Sequence, residues 1–342
     1  MTTAVMDRAT GVTTTRAQAF VAARRPVAEA LGRDLAELAA DPDAFAAALT
    51  GGLRELSDPE YLEGQRRVAP GIGAIYGVRW PLIQAVAQGF RQATRRERTS
   101  NWLFVADRLL HDEHLEPRWF AFGLLERLVA DEPERTWQLL RRAASEAADW
   151  ITVDSLAHPV AKGILLEPYR WAELEQLVFS PSRWERRLVG SAIATAPHVN
   201  RKLGRQPEVV EHGLSLIEQL IGDAEPDVQK ALAWALRTLA QIDTPAATDW
   251  CRRQAAIASL NDDGHRAWVV RDSLSKLEAP DAATIRATLA GVRRRSGTPA
   301  TSEAATVAAR FGTLPEPGRH PRPPLEAGPT DWTIAVSQEP NR

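Results

Sequence analysis

PEVVEHGLSLIEQLIGDAEPDVQKALAWALRTLAQI, residues 207–242, carries apolar residues at three- and four-residue spacing in two runs separated by the turn-forming GDAEP. That spacing is the period of an amphipathic helix, and no alternating strand pattern competes with it. The reading extends outward along the chain. ERTSNWLFVADRLLHDEHLEPRWFAFGLLERLVAD (97–131) and RTWQLLRRAASEAADWITVDSLAH (135–158) repeat the same spacing. Proline or aspartate stands at the joints, as at Pro117, Pro133, Pro181, Pro207, Pro226 and Pro245. From about Arg16 to about Arg295 the chain therefore reads as helical, and the fold class expected is all-α.

Four of these segments resemble one another: EPRWFAFGLLERLV, SPSRWERRLVGSAIAT, EPDVQKALAWALRTLA and GHRAWVVRDSLSKL. Each opens with a turn, continues with basic or aromatic residues and then carries an aliphatic stripe. The last three recur at roughly forty residues, the period of HEAT-type helical pairs. Stacked pairs build a solenoid with a concave binding face, and an irregular helical bundle is the alternative. Residues 1–15 read as a flexible lead, 16–295 as the helical-repeat domain, and 296–342 as a Pro-rich, mostly disordered tail with at most a short helix near EAATVAARF.

The composition, 44% hydrophobic and 25% charged over 342 residues, is that of a globular protein with ample material for a core. One cysteine, Cys251, excludes a disulfide framework and a cysteine-built zinc site, and reads as a small buried residue. The seven histidines show no metal-ligand spacing, so neither metal nor cofactor is expected. No apolar run has the length of a membrane span, and the N-terminus lacks a signal-peptide core, so a cytoplasmic protein is expected. A net charge of -2 does not announce nucleic-acid binding, although a basic face can coexist with an acidic back. Eleven tryptophans stand against 3 tyrosines, and arginine far outnumbers lysine. Coding bias explains most of the arginine; it does not explain where the tryptophans sit.

In ADWITVDSLAHP (148–159), Trp150 and Asp154 are four residues apart and share a helix face. No basic residue lies near enough in sequence to pair with Asp154, so an unpaired carboxylate is expected beside an aromatic ring. A solvated carboxylate next to a core anchor is the plainer reading. His158, before Pro159, reads as a helix-end residue.

Three stretches resemble the AlkD-like DNA glycosylases of the DNA alkylation repair superfamily, which are built from HEAT-like repeats. WITVDS resembles that family's Trp-x-x-Val-Asp segment, SRWERRLVGSAIAT its Trp-x-Arg-Arg helix, and VQKALAWALRTLA its Gln-Lys-Ala-x-x-Trp-x-Leu-Arg segment. Weaker echoes lie in YGVRWPLI and EPRWFAFGLLERL, and the order matches over Tyr61 to Leu277. The resemblance implies that Asp154 is the catalytic carboxylate. It makes Trp150 and Trp234 aromatic walls around the lesion's deoxyribose, and Arg187 and Arg237 phosphate contacts. It implies a substrate of double-stranded DNA containing N3- or N7-alkylated purines, gripped by the backbone. A monomer with no obligate protein partner and no membrane contact is expected, and a self-resistance role fits as well as general repair.

The residues support these roles on their own chemistry. An alkylated purine is already cationic and leaves without a general acid, while positive charge builds on the sugar. A carboxylate and tryptophan faces both favour that charge. Arg183 and Arg187 are one turn apart, and Lys230, Trp234 and Arg237 follow i, i+4, i+7, so each set shares a face suited to phosphates. A solvated surface is the alternative for these basic residues, and for the run RQATRRERTSNW (91–102) it is the preferred reading. Trp102, Trp119, Trp137 and Trp171 read as core or groove anchors. The competing function is a non-catalytic HEAT-repeat scaffold that binds DNA or protein, which would have no use for an unpaired Asp154 between aromatic walls.

Overall fold

The computed structural model describes residues 2–310 apart from 70, 72 and 96–99, with side chains from residue 15 onward. Sixteen α-helices follow one another among the described residues. The first eight are α1 (Thr2–Glu37), α2 (Pro42–Glu55), α3 (Pro59–Val68), α4 (Trp80–Ala93), α5 (Asn101–Leu110), α6 (Leu115–Leu128), α7 (Pro133–Glu146) and α8 (Trp150–Leu166). The rest are α9 (Arg170–Gln176), α10 (Arg183–Val199), α11 (Pro207–Leu220), α12 (Pro226–Ala240), α13 (Thr244–Leu260), α14 (Gly264–Ser273), α15 (Ala279–Thr288) and α16 (Glu303–Ala309). No strand occurs among the described residues beyond an isolated bridge between Ala74 and His114.

Local chemistry explains the joints. Proline sits in the first turn of α2, α3, α4, α7, α11, α12, α13 and α15, where the missing N–H removes no helical bond. Asp41, Asp58, Asp149, Asp243 and Asp263 cap the helices that follow them by accepting backbone N–H groups.

The packing follows the repeat. From α4 to α14 the even-numbered helices stand side by side, α4 on α6, α6 on α8, α8 on α10, α10 on α12 and α12 on α14. Odd-numbered helices lie against them as a second layer, with α5 on α7 and α11 on α13. The four look-alike segments of the sequence are α6, α10, α12 and α14, all in the even layer. They resemble one another because each packs lengthwise against at least one like helix of the same layer. This is an all-α, HEAT-like repeat array.

Two boundaries differ from expectation. Helix α1 begins at Thr2, inside the stretch read as a flexible lead, and extends N-terminally from the part that packs on α4. At the other end the folded unit does not stop at 295. The Thr301 N–H bonds the Gly222 carbonyl at 2.8 Å and its hydroxyl donates to Asp263 at 2.5 Å, after which α16 rests on α11. A Thr- and Pro-rich strap lies in place here because loops of the array satisfy its polar groups, which composition does not reveal. Residues 311–342, including Trp332, lie outside the described residues.

Trp102, Trp137 and Trp171 are buried as core anchors. Cys251 is buried as well, and burial pushes its thiol up to about 11, which suits an inert core residue. No helix among the described residues is long and apolar enough to cross a membrane.

Helices α10 and α12 approach most closely at Gly190, where an added Cβ would stand 2.7 Å from the Ala231 carbonyl carbon. Gly190→Ala must push the two backbones apart. It is expected to destabilise the fold by about 1–3 kcal/mol, the range for an overpacked core. Urea unfolding of the full chain measures this, and an unchanged midpoint would show that the two helices can separate without cost.

Candidate functional site

Helix α8 is set by its cap. Asp149 accepts the Thr152 N–H and the Thr152 hydroxyl, both at 2.7 Å, and so fixes Trp150 as the first helical residue. Asp154 follows on the same face, at the wall of a cleft of about 1070 Å³ lined by α4, α6 and α8, with Arg25 of α1 and Trp234 of α12 also in its lining. Trp150 is 41% exposed beside it. The three residues of the expected catalytic set are thus brought into one cleft.

Asp154 is not unpaired. Arg187, from α10, donates Nε to Oδ1 at 3.1 Å and Nη2 to Oδ2 at 2.8 Å, and the fully buried Ser191 hydroxyl donates to Oδ1 at 2.7 Å. The correction has a simple cause: the partner lies one repeat away, outside any local window. Both partners donate, through three groups in all, so the carboxylate is held as an acceptor in one orientation. Oδ1 receives two donors and Oδ2 one, which leaves Oδ2 the acceptor capacity to spare.

Arg187 itself is only 6% exposed, and its Nη1 donates to the Asp227 carbonyl at 2.6 Å on α12. Its fork is committed within the protein, so its expected place as a phosphate contact is corrected to that of Asp154's partner. Arg237 also departs from expectation. It bonds the Asp272 carbonyl at 3.0 Å and forms an ion pair with the Asp272 carboxylate, tying α12 to α14. Lys230 is exposed on α12. Arg183 is exposed on α10, stacked 4.8 Å over Trp184 and 3.6 Å from Glu225. These two remain available to a ligand. Arg186 is tied to Asp223 at 2.6 Å.

Other residues line the cleft or brace its walls. Trp80 opens α4, 47% exposed, and meets Trp119 of α6 edge to face at 5.6 Å. Glu116, buried two residues into α6, accepts the N–H groups of Tyr76, Gly77 and Val78 at 2.7–3.1 Å and so fixes where α4 begins. Gly77 makes that turn with φ +80°, a region open to glycine. His158 lies mid-helix, because α8 continues through Pro159 to Leu166, and both line the cleft. Pro159 has no N–H to give the Ser155 carbonyl, so that helix carbonyl loses its usual donor beside the cleft. The signal for Trp80 was present in YGVRWPLI, which echoes the same turn-then-tryptophan pattern. Nothing local marks Ser191.

Among the described residues no three His, Cys, Asp or Glu side chains gather as a metal site. What the arrangement offers is an oriented carboxylate acceptor among indole faces, in a cleft wide enough for a large ligand.

No curated protein matches the sequence. The model of one family, described as DNA alkylation repair enzyme, matches residues 49–277, which run from α2 through α14 and include every residue set out above as candidate catalytic or DNA-binding. With two thirds of its length inside that match, the chain belongs to the DNA alkylation repair enzyme family.

Proposed function

We propose that the protein is a monofunctional DNA glycosylase that hydrolyses the N-glycosidic bond of cationic N3- and N7-alkylpurines in duplex DNA. The observation that carries this reading is Asp154, oriented by three donors, in a cleft shared with Trp150 and Trp234. The C1′–N bond breaks and its electron pair neutralises the cationic base, so no general acid is required. Positive charge builds on the sugar, where the Asp154 carboxylate and the indole faces oppose it. Water then bonds to C1′ and gives its proton to the spare Oδ2 position or to solvent. The products are the neutral alkylpurine and an abasic site. Lys230 and Arg183, exposed on neighbouring helices, are the phosphate contacts in this reading, while Arg187 acts as a positioning residue. The cleft suits an adduct larger than methyl, which fits either general repair or protection against a bulky alkylating agent.

One observation favours a second reading. Because Arg187 pairs with Asp154, the carboxylate has a structural use in joining α8 to α10, as it would in a non-catalytic DNA- or protein-binding scaffold. Release of base from a duplex carrying a single 7-methylguanine separates the two.

Asp154→Asn is expected to slow base release by about 10²–10³-fold, the scale for losing a preorganised electrostatic group, while duplex binding persists. It also weakens the Arg187 fork, so a lower thermal midpoint should accompany it. Near-normal excision by the folded variant would take the catalytic role away from Asp154 and leave it only that of joining α8 to α10.

Arg187→Ala removes one partner of a largely buried pair. A stability loss of about 2–4 kcal/mol is expected, with base release reduced and the salt dependence of DNA binding unchanged. A shallower salt slope would restore Arg187 as a phosphate contact.

Substrate charge gives a further check. Single-turnover excision should be fast on 7-methylguanine or 3-methyladenine and nearly absent on uracil, hypoxanthine or 1,N6-ethenoadenine in matched duplexes. Trp150→Ala and Trp234→Ala should each slow the cationic substrates. Comparable rates on neutral and cationic bases would require a general acid in the cleft beside Asp154.

A further inference from the structure

The cleft has two unlike ends. Helices α4, α6 and α8 contribute Trp80, Trp119 and Trp150 from within their first two turns, and Arg91, Arg127 and Lys162 from their later turns. Asp154 and Lys162 are eight residues apart on α8, so the two ends are about 12 Å apart at the helical rise. The cleft is lined by four basic side chains, Arg25, Arg91, Arg127 and Lys162, against the acids Glu126 and Asp154. On a chain of net charge -2, that local excess is set by placement rather than by composition.

The basic side chains differ in what they are bound to. Arg25 is tied to Glu29 at 2.9 Å and to Gln88 at 3.0 Å, and Lys162 donates to the Glu126 carbonyl at 2.6 Å. Arg91 and Arg127 have no ion pair or hydrogen bond among the described residues. Arg127 lies 4.4 Å over the Trp102 ring, and its Nη1 is buried without a hydrogen-bond partner among them. Burial first, and then the neighbouring Arg91 charge, pull the Arg127 guanidinium below its ordinary value, with only Asp131 acting against them. Two guanidiniums lining one cleft, close enough for the charge of one to act on the other and one of them with an unsatisfied buried N–H, cost stability when left alone. An oxyanion between them removes the repulsion and supplies the acceptor.

We propose that Arg91 and Arg127 form an anion site at the end of the cleft away from Asp154, and that it takes a phosphodiester of the bound duplex. The proposal rests on the DNA-binding part of the function proposed above. It gives the run RQATRRERTSNW a specific contact, Arg91, together with the aromatic platform, Trp102, on which Arg127 is stacked. An anionic group carried by an adduct has the same chemistry, and an unmodified duplex, which has no adduct, distinguishes the two sources.

The test is fluorescence anisotropy of the full chain on an unmodified duplex at several salt concentrations. The Arg91→Gln/Arg127→Gln double variant is expected to bind about five- to tenfold more weakly at low salt, with the slope of log affinity against log salt shallower by about 1. Arg91→Gln alone, at an exposed position, should show part of the effect and keeps the test valid if the double variant folds poorly. Arg91→Glu supplies Arg127 with an internal carboxylate, so it should raise the thermal midpoint while weakening DNA binding further. Unchanged affinity and slope in the glutamine variants would overturn the phosphodiester site, whatever Arg91→Glu does to stability. A thermal midpoint lowered by Arg91→Glu would overturn the claim that the two guanidiniums await an anion. If the wild-type chain binds no duplex, the DNA reading fails with it; if it binds and only the variants are silent, this site alone is lost.

Discussion

The guanidinium of Arg187 holds the centre of this protein together. Its three nitrogens reach Asp154 on α8 and the Asp227 carbonyl on α12, while its own backbone belongs to α10. One buried side chain thereby fixes three successive helices of the even layer. The arrangement works only if those helices are close, and the bare backbone at Gly190, one turn further along α10, makes them so. A carboxylate set in this way owes its orientation to the stacking of repeats. No single repeat contains it.

The same grammar recurs along the array. Side chains reach the neighbouring repeat at a nearly constant sequence separation: Arg142 to Asp107 at 35 residues, Lys162 to the Glu126 carbonyl at 36, Arg187 to Asp154 at 33, Gln229 to His265 at 36 and Arg237 to Asp272 at 35. Polar groups between repeats find their partners one period away, because that is where the next like helix stands. Such bonds tie the layer together where apolar stripes alone would let one repeat slide over the next.

This separation explains what could be read in advance. The helices were legible because their apolar spacing is local, and the likeness of α6, α10, α12 and α14 was legible because they share an environment. That Trp150, Asp154 and Trp234 belong together was legible from their local motifs, and the three do line one cleft. The pairing of Asp154 was missed because a search for partners within a helical turn or two cannot see a residue 33 positions away. Arg187 and Arg237 looked like surface residues for the same reason, each having its carboxylate in an adjacent repeat. Ser191 and the unpartnered Arg127 carry no local mark at all. The pairs follow a separation of 33 and 35 residues, somewhat shorter than the helical period of roughly forty, so the period by itself does not point to them.

The strap after α15 gives the fold a direction in time. The carbonyl and the hydroxyl of Thr298 both meet Nε2 of the buried His265 ring, whose Nδ1 faces Gln229 of α12, and Thr301 closes on Gly222 and Asp263. A ribosome makes these residues after all of the helices α1 to α15. Until they emerge, the polar groups at the start of α12 and α14 lack their final partners, although α8 and Asp154 were synthesised well over a hundred residues earlier. The wall that carries Trp234 is therefore completed late, and the nascent chain holds its carboxylate before it holds the whole cleft.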